Sequence, residues 1–318
     1  MREIGGYMEF ELKGTGKLYH ENLIALNTTR NAIKYILIGK KIEKLYIPYF
    51  LCDSITEMLA SSRISYSFYR ISEKFMPLID FSIAENEAIL IVNYYGQLSK
   101  SIIMGLKEQY HNIILDNTHA FFEKPYKGID TVYNVRKYFG VPEGAYVSTD
   151  VLHKEELKRS VTAGKYEHII GRAESNAASY FDKYRQSEEE INNTDIQMMS
   201  RFTENMLRMI DYKEIEKKRI ANFKYLHQEL KDFNNLQINN ENATYMYPLK
   251  VHNAAKIRRE LIQQKIYIPI LWTFALENTS EGTPDYSLAD EILPLPIDQR
   301  YEAVDMEYIV NVLRSKLI

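Results

Sequence analysis

A single cysteine, Cys52, stands among the 318 residues, so no disulfide can close within the chain, and such sparing use fits a reducing compartment. No uninterrupted apolar stretch reaches about 18 residues, and no short apolar segment is flanked as a secretory leader would be. The expectation is a soluble, cytoplasmic protein without a membrane partner. An excess of one charge is also lacking: 40 Lys and Arg face 43 Asp and Glu, for a formal charge of -3. That balance offers no wide basic face to gather a phosphate backbone, so nucleic acid is not an expected partner. Walker and GxGxxG patterns are missing, as is any spacing of His, Cys and acid suited to a metal, so no metal is expected.

What is present belongs to a folded, globular chain, with 45% apolar and 26% charged residues. Its length exceeds what one core usually fills, since single cores stop growing near about 250 to 300 residues, so two lobes are expected. From about Asn22 to Asp150 short apolar runs alternate with helically spaced stretches, the pattern of β-α units that build a mostly parallel sheet. A helix is expected from Thr29 to Lys40, then a buried strand in KLYIPYF, a helix in DSITEMLASS capped by Asp53, and a strand in SYSFYRIS. AILIVNYYG reads as the central strand and NIILDNTHA as another buried one, followed by DTVYNV and GAYVST. Beyond Asp150 charged helical stretches take over, with a long helix from about Tyr212 to Phe233 striped by Ile215, Ile220, Phe223, Leu226 and Leu230. TYMYPLKV, a helix near Ala254, IYIPIL, ILPLPI and a last helix from Asp305 read as a small α+β lobe. The expected division is a large domain over 1–210 and a small C-terminal domain over 211–318.

In open α/β sheets ligands bind beyond the carboxyl ends of the strands, so polar residues there are the first candidates for chemistry. Two such ends, ILDNTHAFF and VYNVRKYFGVPEGAYV, bring Asp116, His119 and Lys137 into a short span. A pyridoxal cofactor needs a lysine to form an imine and a carboxylate on the pyridine nitrogen, roles that Lys137 and Asp116 could fill. The residues alone leave other readings open. Asp-Asn is a common turn pair at a strand end, and Lys137 beside Arg136 has the look of a surface lysine.

LDNTHA followed by RKYFGVPEGAYV resembles the cofactor region of the DegT-like sugar aminotransferases, which have the aspartate aminotransferase fold of type I; Glu143 and Gly144 stand six and seven residues after Lys137, as in that family. NTTRNAIKYIL resembles the first helix, LYIPYFLCDSI the next strand and turn, LIVNYYGQ the strand ending in Gly-Gln, and ILPLPIDQRYEAVDMEYIVNVL the last strand and helix of the small domain. The resemblance covers most of the chain. It implies a three-layer α/β large domain with a mostly parallel sheet, a small α+β domain, and pyridoxal 5'-phosphate as cofactor. It also implies transfer of an amino group from a donor such as glutamate to a keto sugar nucleotide, in making surface polysaccharide or secondary metabolites.

On the same footing Lys137 would carry the cofactor and shuttle the proton, Asp116 would pair with the pyridine nitrogen, and His119 would lie beside the 3'-oxygen. Thr28, Thr29 and Arg30 at the first helix would receive the phosphate, with Asn134 nearby, although the family's usual glycine there is missing. Asn93, Tyr95 and Trp272 are the candidates for substrate contact. Cys52 stands in the turn where the family places a ring-stacking aromatic, with Phe50 two residues before it. A homodimer is implied, with the polar stretch Asn192 to Thr194 read as an exposed loop or, alternatively, that stretch or Arg201 nearby as a part donated to the partner. The alternatives are a sugar dehydration by the same cofactor, against which the retained lysine speaks, and a catalytically silent dimeric scaffold of the same fold.

Overall fold

The computed structural model describes residues 4–153 and 156–317. An α/β unit comes first: β1 (Ile24–Leu26), α1 (Thr29–Gly39), β2 (Lys44–Pro48), α2 (Asp53–Ser62), β3 (Ser65–Ile71), β4 (Pro77–Leu78), β5 (Glu87–Val92), α3 (Lys100–Gln109), β6 (Ile113–Asp116), β7 (Asp130–Asn134) and β8 (Ala145–Ser148). The eight strands form one sheet in the order β1-β8-β7-β6-β5-β2-β3-β4. Its centre, from β3 through β7, is parallel, while β4, β8 and β1 attach antiparallel. Because β8 runs against both β7 and β1, the last two point the same way, and the end of β1 joins the ends of β5, β6 and β7 at one edge. The strands read as unbroken apolar runs because helices cover both faces: Ile89, Leu90, Ile91, Ile113, Ile114 and Leu115 are all buried.

A helical region follows, with α4 (Glu167–Glu174), α5 (Phe181–Asn192), α6 (Arg201–Leu207) and the long α7 (Tyr212–Leu230). The chain closes with β9 (Met246–Lys250), α8 (Ala254–Gln263), α9 (Thr273–Asn278), α10 (Pro284–Glu291), β10 (Ile292–Pro296) and α11 (Ala303–Leu317). β9 and β10 pair antiparallel, and a second apolar cluster joins them to α7, α8 and α11 through Phe223, Leu226, Leu249, Leu261, Leu295 and Val310.

Local departures from the sequence expectations have local causes. Asp53 is the first residue of α2 rather than its cap; the cap position is Cys52, which makes no side-chain capping bond, and Asp53 instead places its charge in the first turn. The central strand stops at Val92, because the Asn93 side chain accepts a bond from Leu98 N-H and Tyr95 takes φ of 51° in a short 3-10 turn. IYIPIL forms no strand: Lys265 and Trp272 on either side take positive φ, and Pro269 has no N-H for a ladder. In α7 the buried stripe runs through Tyr212, Arg219, Asn222, Phe223, Leu226 and Leu230, leaving Ile215 and Ile220 only partly covered.

Candidate functional site at the strand ends

A cavity of about 390 Å³ opens at the shared strand edge, lined by Thr28, Thr29, Arg30, Val92, Asp116, His119, Asn134, Arg136, Lys137, Trp272 and others. A wider groove of about 1290 Å³, along Ile24, Leu152, Val161, Met198 and Phe202, shares no residue with it. Of the residues singled out in the sequence, Lys137, Asp116, His119, Thr28, Thr29, Arg30, Asn134 and Trp272 come together around this one cavity. Asn93 and Tyr95 do not line it. They lie behind its wall, where Asn93 Nδ2 donates to Asn117 Oδ1 at 3.1 Å and the Tyr95 ring packs against His119 and Trp272.

One side of the cavity is the start of α1. Thr28 caps the helix, its Oγ1 accepting from Asn31 N-H at 3.2 Å and its carbonyl from Ala32 N-H at 2.9 Å. The N-H groups of Thr29 and Arg30 keep no protein partner among the described residues, so the helix start presents free donors and a positive dipole end. Arg30 is 9% exposed; it donates from Nη1 to Asn192 Oδ1 at 2.6 Å and from Nη2 to the Ile191 carbonyl at 3.0 Å, while its Nε stays unpartnered.

Asn134, at the end of β7, links this helix start to the lysine loop. Its Nδ2 donates to Thr29 Oγ1 at 2.9 Å, and its Oδ1 accepts from Lys137 N-H at 3.0 Å. The loop then turns back into β8 through Glu143, buried and accepting from Ser200 N-H at 2.9 Å, and Gly144 at φ of 129°. A Cβ on Gly144 would stand 2.4 Å from Val135 Cγ2, so the glycine is required by both conformation and close approach. The Glu-Gly pair that carried part of the resemblance is therefore a brace for the loop. Lys137 itself is half-buried, with Nζ 4.9 Å from the centre of the Tyr245 ring.

The opposite wall holds the acid and the aromatics. Asp116 is 7% exposed at the end of β6, with Oδ1 accepting from Thr118 N-H at 2.8 Å. Burial raises its pKa above the ordinary carboxylate value, against the lowering effects of the Thr118 bonds and the Lys137 charge. His119 is 4% exposed and is held neutral, its pKa pushed well down by burial and next by Lys137. Its Nδ1 has no partner among the described residues. Its ring lies 5.0 Å from Trp272 and 4.9 Å from Tyr245. Phe50, two residues before the exposed Cys52, is fully buried against Tyr94 and Trp272, so the aromatic surface nearest the cavity is His119 with Trp272.

Two features of the cavity were noted in the sequence only in other terms, Arg136 as the neighbour of Lys137 and the stretch 192 to 194 as an exposed loop or a donated part. Arg136, beside Lys137, lines it and is ion-paired with Glu188 of α5. Asn192 closes the same side, and Thr194 Oγ1 accepts from Asn27 Nδ2 at 3.1 Å, so the stretch from 192 to 194 binds its own chain at the base of α1. No sequence periodicity marks these, because the contacts join residues more than fifty positions apart.

No family model matches the sequence, and no curated protein matches it. Solved structures do match in fold. An aminotransferase of the DegT DnrJ EryC1 StrS group from Brucella abortus superimposes with a TM-score of 0.60 at 16% identity, over 92% of this chain and 85% of the other. The sugar aminotransferase CalS13 from Micromonospora echinospora gives 0.62 at 13% identity, over 92% and 87%. NtdA from Bacillus subtilis, with bound cofactor PMP, gives 0.66 at 13% identity, over 93% and 73%. At these identities the likeness establishes the architecture, that of the large sheet with its smaller companion.

Proposed function

We propose that this chain is a pyridoxal-phosphate-dependent aminotransferase of the DegT-like kind, passing an amino group from a donor such as glutamate to a keto group on a nucleotide-linked sugar. The observation that carries the reading is the meeting, in one cavity, of a lysine amine, a buried carboxylate and a helix start with free N-H donors. The fold neighbours support it, since the Brucella and Micromonospora proteins are aminotransferases and the Bacillus structure holds the amine form of the cofactor.

The residues fit that cofactor by their unmet needs. Asp116 is a buried carboxylate whose ionised form lacks full compensation, which a pyridinium nitrogen would supply. His119 Nδ1 is a buried ring nitrogen without a partner, suited to a ring oxygen. Thr28, Thr29 and Arg30 at the start of α1, with Asn134 at the end of β7, would hold the phosphate. When bound, the cofactor supplies an electron-poor ring that accepts charge from the substrate carbon.

The chain's own residues do the rest. Lys137 Nζ would hold the cofactor and, once freed by the donor, carry the proton from the substrate carbon and return it. Asn134 fixes the lysine backbone, so the amine moves only through its own side chain. Trp272 and His119 form an aromatic wall of the cavity, with Tyr95 packed against both and Asn93 bonded to Asn117. Work on a sugar for surface polysaccharide or secondary metabolites, in the cytoplasm and as a homodimer, completes the proposal. The strongly exposed Leu152 and Val161 of the wide groove support the last of these.

Protein incubated with pyridoxal phosphate and then dialysed should be yellow, and the visible band should fall on addition of L-glutamate and return with a keto acid. Lys137→Ala should lose the band and slow turnover by about 10²- to 10⁴-fold. A Lys137→Ala protein with wild-type turnover would sink the reading.

A further inference from the structure

The chemistry above gives no work to Arg136, although this residue lines the cavity directly before Lys137. Its Nη2 is ion-paired with the Glu188 carboxylate, its Nε has no partner, and no other side chain bonds it among the described residues. Glu188 stands on a thinly covered helix. Of the twelve residues of α5 only Ser187 and Ile191 are buried; the paired side chains keep 22% and 30% exposure, while Glu188 Oε1 and Arg136 Nε face the protein interior. One turn on, Asn192 takes the bond from Arg30, so two guanidinium groups hold one face of α5 along the cavity.

A carboxylate on a flexible stem thus already sits where an entering amino acid would present its own. The guanidinium fork suits a carboxylate in shape as well as charge. Arg136 and Lys137 line the same cavity, so an amino acid whose carboxylate is held by the first keeps its amine in the space that the second also borders. The geometry points to Arg136 as the residue that receives a carboxylate of the amino donor, with Glu188 as a resident counter-ion that the donor displaces. This rests on the aminotransferase reading.

Trp272 is the only tryptophan and lines the cavity, so its fluorescence reports occupancy. Glutarate, a dicarboxylate without an amine, is the probe, titrated into the protein with and without pyridoxal phosphate. Wild type should show a saturable change; Arg136→Gln should shift the midpoint upward about tenfold or more, and Arg136→Lys less. Glu188→Gln should lower the midpoint several-fold, since no resident carboxylate competes. In the half-reaction with L-glutamate the same order should appear in the half-saturating concentration, with the limiting rate little changed, as expected for lost uniform binding. Equal glutarate midpoints for wild type and Arg136→Gln overturn the inference. So does a Glu188→Gln protein that weakens binding as Arg136→Gln does, because the pair is then a brace. Wild-type protein that takes up no pyridoxal phosphate strikes the aminotransferase reading instead, and the cofactor-free titration still decides on Arg136.

Discussion

Burial at the end of β6 raises the pKa of Asp116, so the folded chain keeps a proton that the unfolded chain releases at the same pH. The sign follows: this group favours folding below the ordinary carboxylate pKa, and its contribution is lost as pH rises through the raised value. Near neutrality it works against the cofactor-free fold, and a bound pyridinium reverses that. Asp116→Asn should therefore melt above wild type in the cofactor-free form at pH 7 to 8, with the difference shrinking toward acid pH. The same variant should bind pyridoxal phosphate about tenfold or more weakly. Thermal melts across pH with and without cofactor check both, and a variant that melts below wild type at every pH would refute the account. Asp116 and Lys137 were legible in sequence because each ends or follows a strand whose apolar run is unmistakable. Arg136 was legible only as the neighbour that made Lys137 look like surface, since its role depends on Glu188, which no local pattern brings near.

At the scale of elements, the site is built from the start of one helix and the ends of three strands, held by a few cross-links. Asn134 ties β7 to α1, and Glu143 ties the lysine loop to Ser200 just before α6. Arg219 of α7, fully buried, donates to the carbonyls of Thr244 and Tyr245 and lies 4.5 Å from the Tyr138 ring, which fastens the small lobe behind Lys137. Gly144 is the tightest of these points. Gly144→Ala should cost about 1 to 3 kcal/mol from the positive φ, with the Val135 clash added, as read by urea denaturation. Its turnover should fall more than its cofactor affinity, because the lysine loop moves while the α1 start stays. Element order in the first half could be read from periodicity, and α1, α2 and α7 began and ended within three residues of expectation, while α4, α5, α6, α9 and α10 were not set out individually. The failures came where a side chain or a positive φ interrupts a good pattern, as at Asn93 and around IYIPIL.

For the molecule as a whole, three apolar clusters carry the fold, and a cofactor and a partner would add to them. Pyridoxal phosphate at about 100 times its dissociation constant should stabilise the fold by about 2.7 kcal/mol, visible as a rise in Tm that Lys137→Ala largely abolishes. Light scattering should report twice the 37.4 kDa chain mass, and Leu152→Asp with Val161→Asp should shift it toward the monomer. No helix among the described residues is long and apolar enough to cross a membrane. The residues alone determined the layered α/β architecture and the strand ends where chemistry gathers, because burial on both faces of a parallel sheet writes itself into continuous apolar runs. Only the tertiary structure decided which polar residues share a cavity, sending Asn93 and Tyr95 behind its wall and bringing Arg136, Glu188 and Asn192 to its mouth. The physical reason is that side-chain contacts across distant segments depend on how helices dock, and docking leaves no periodic trace in the chain.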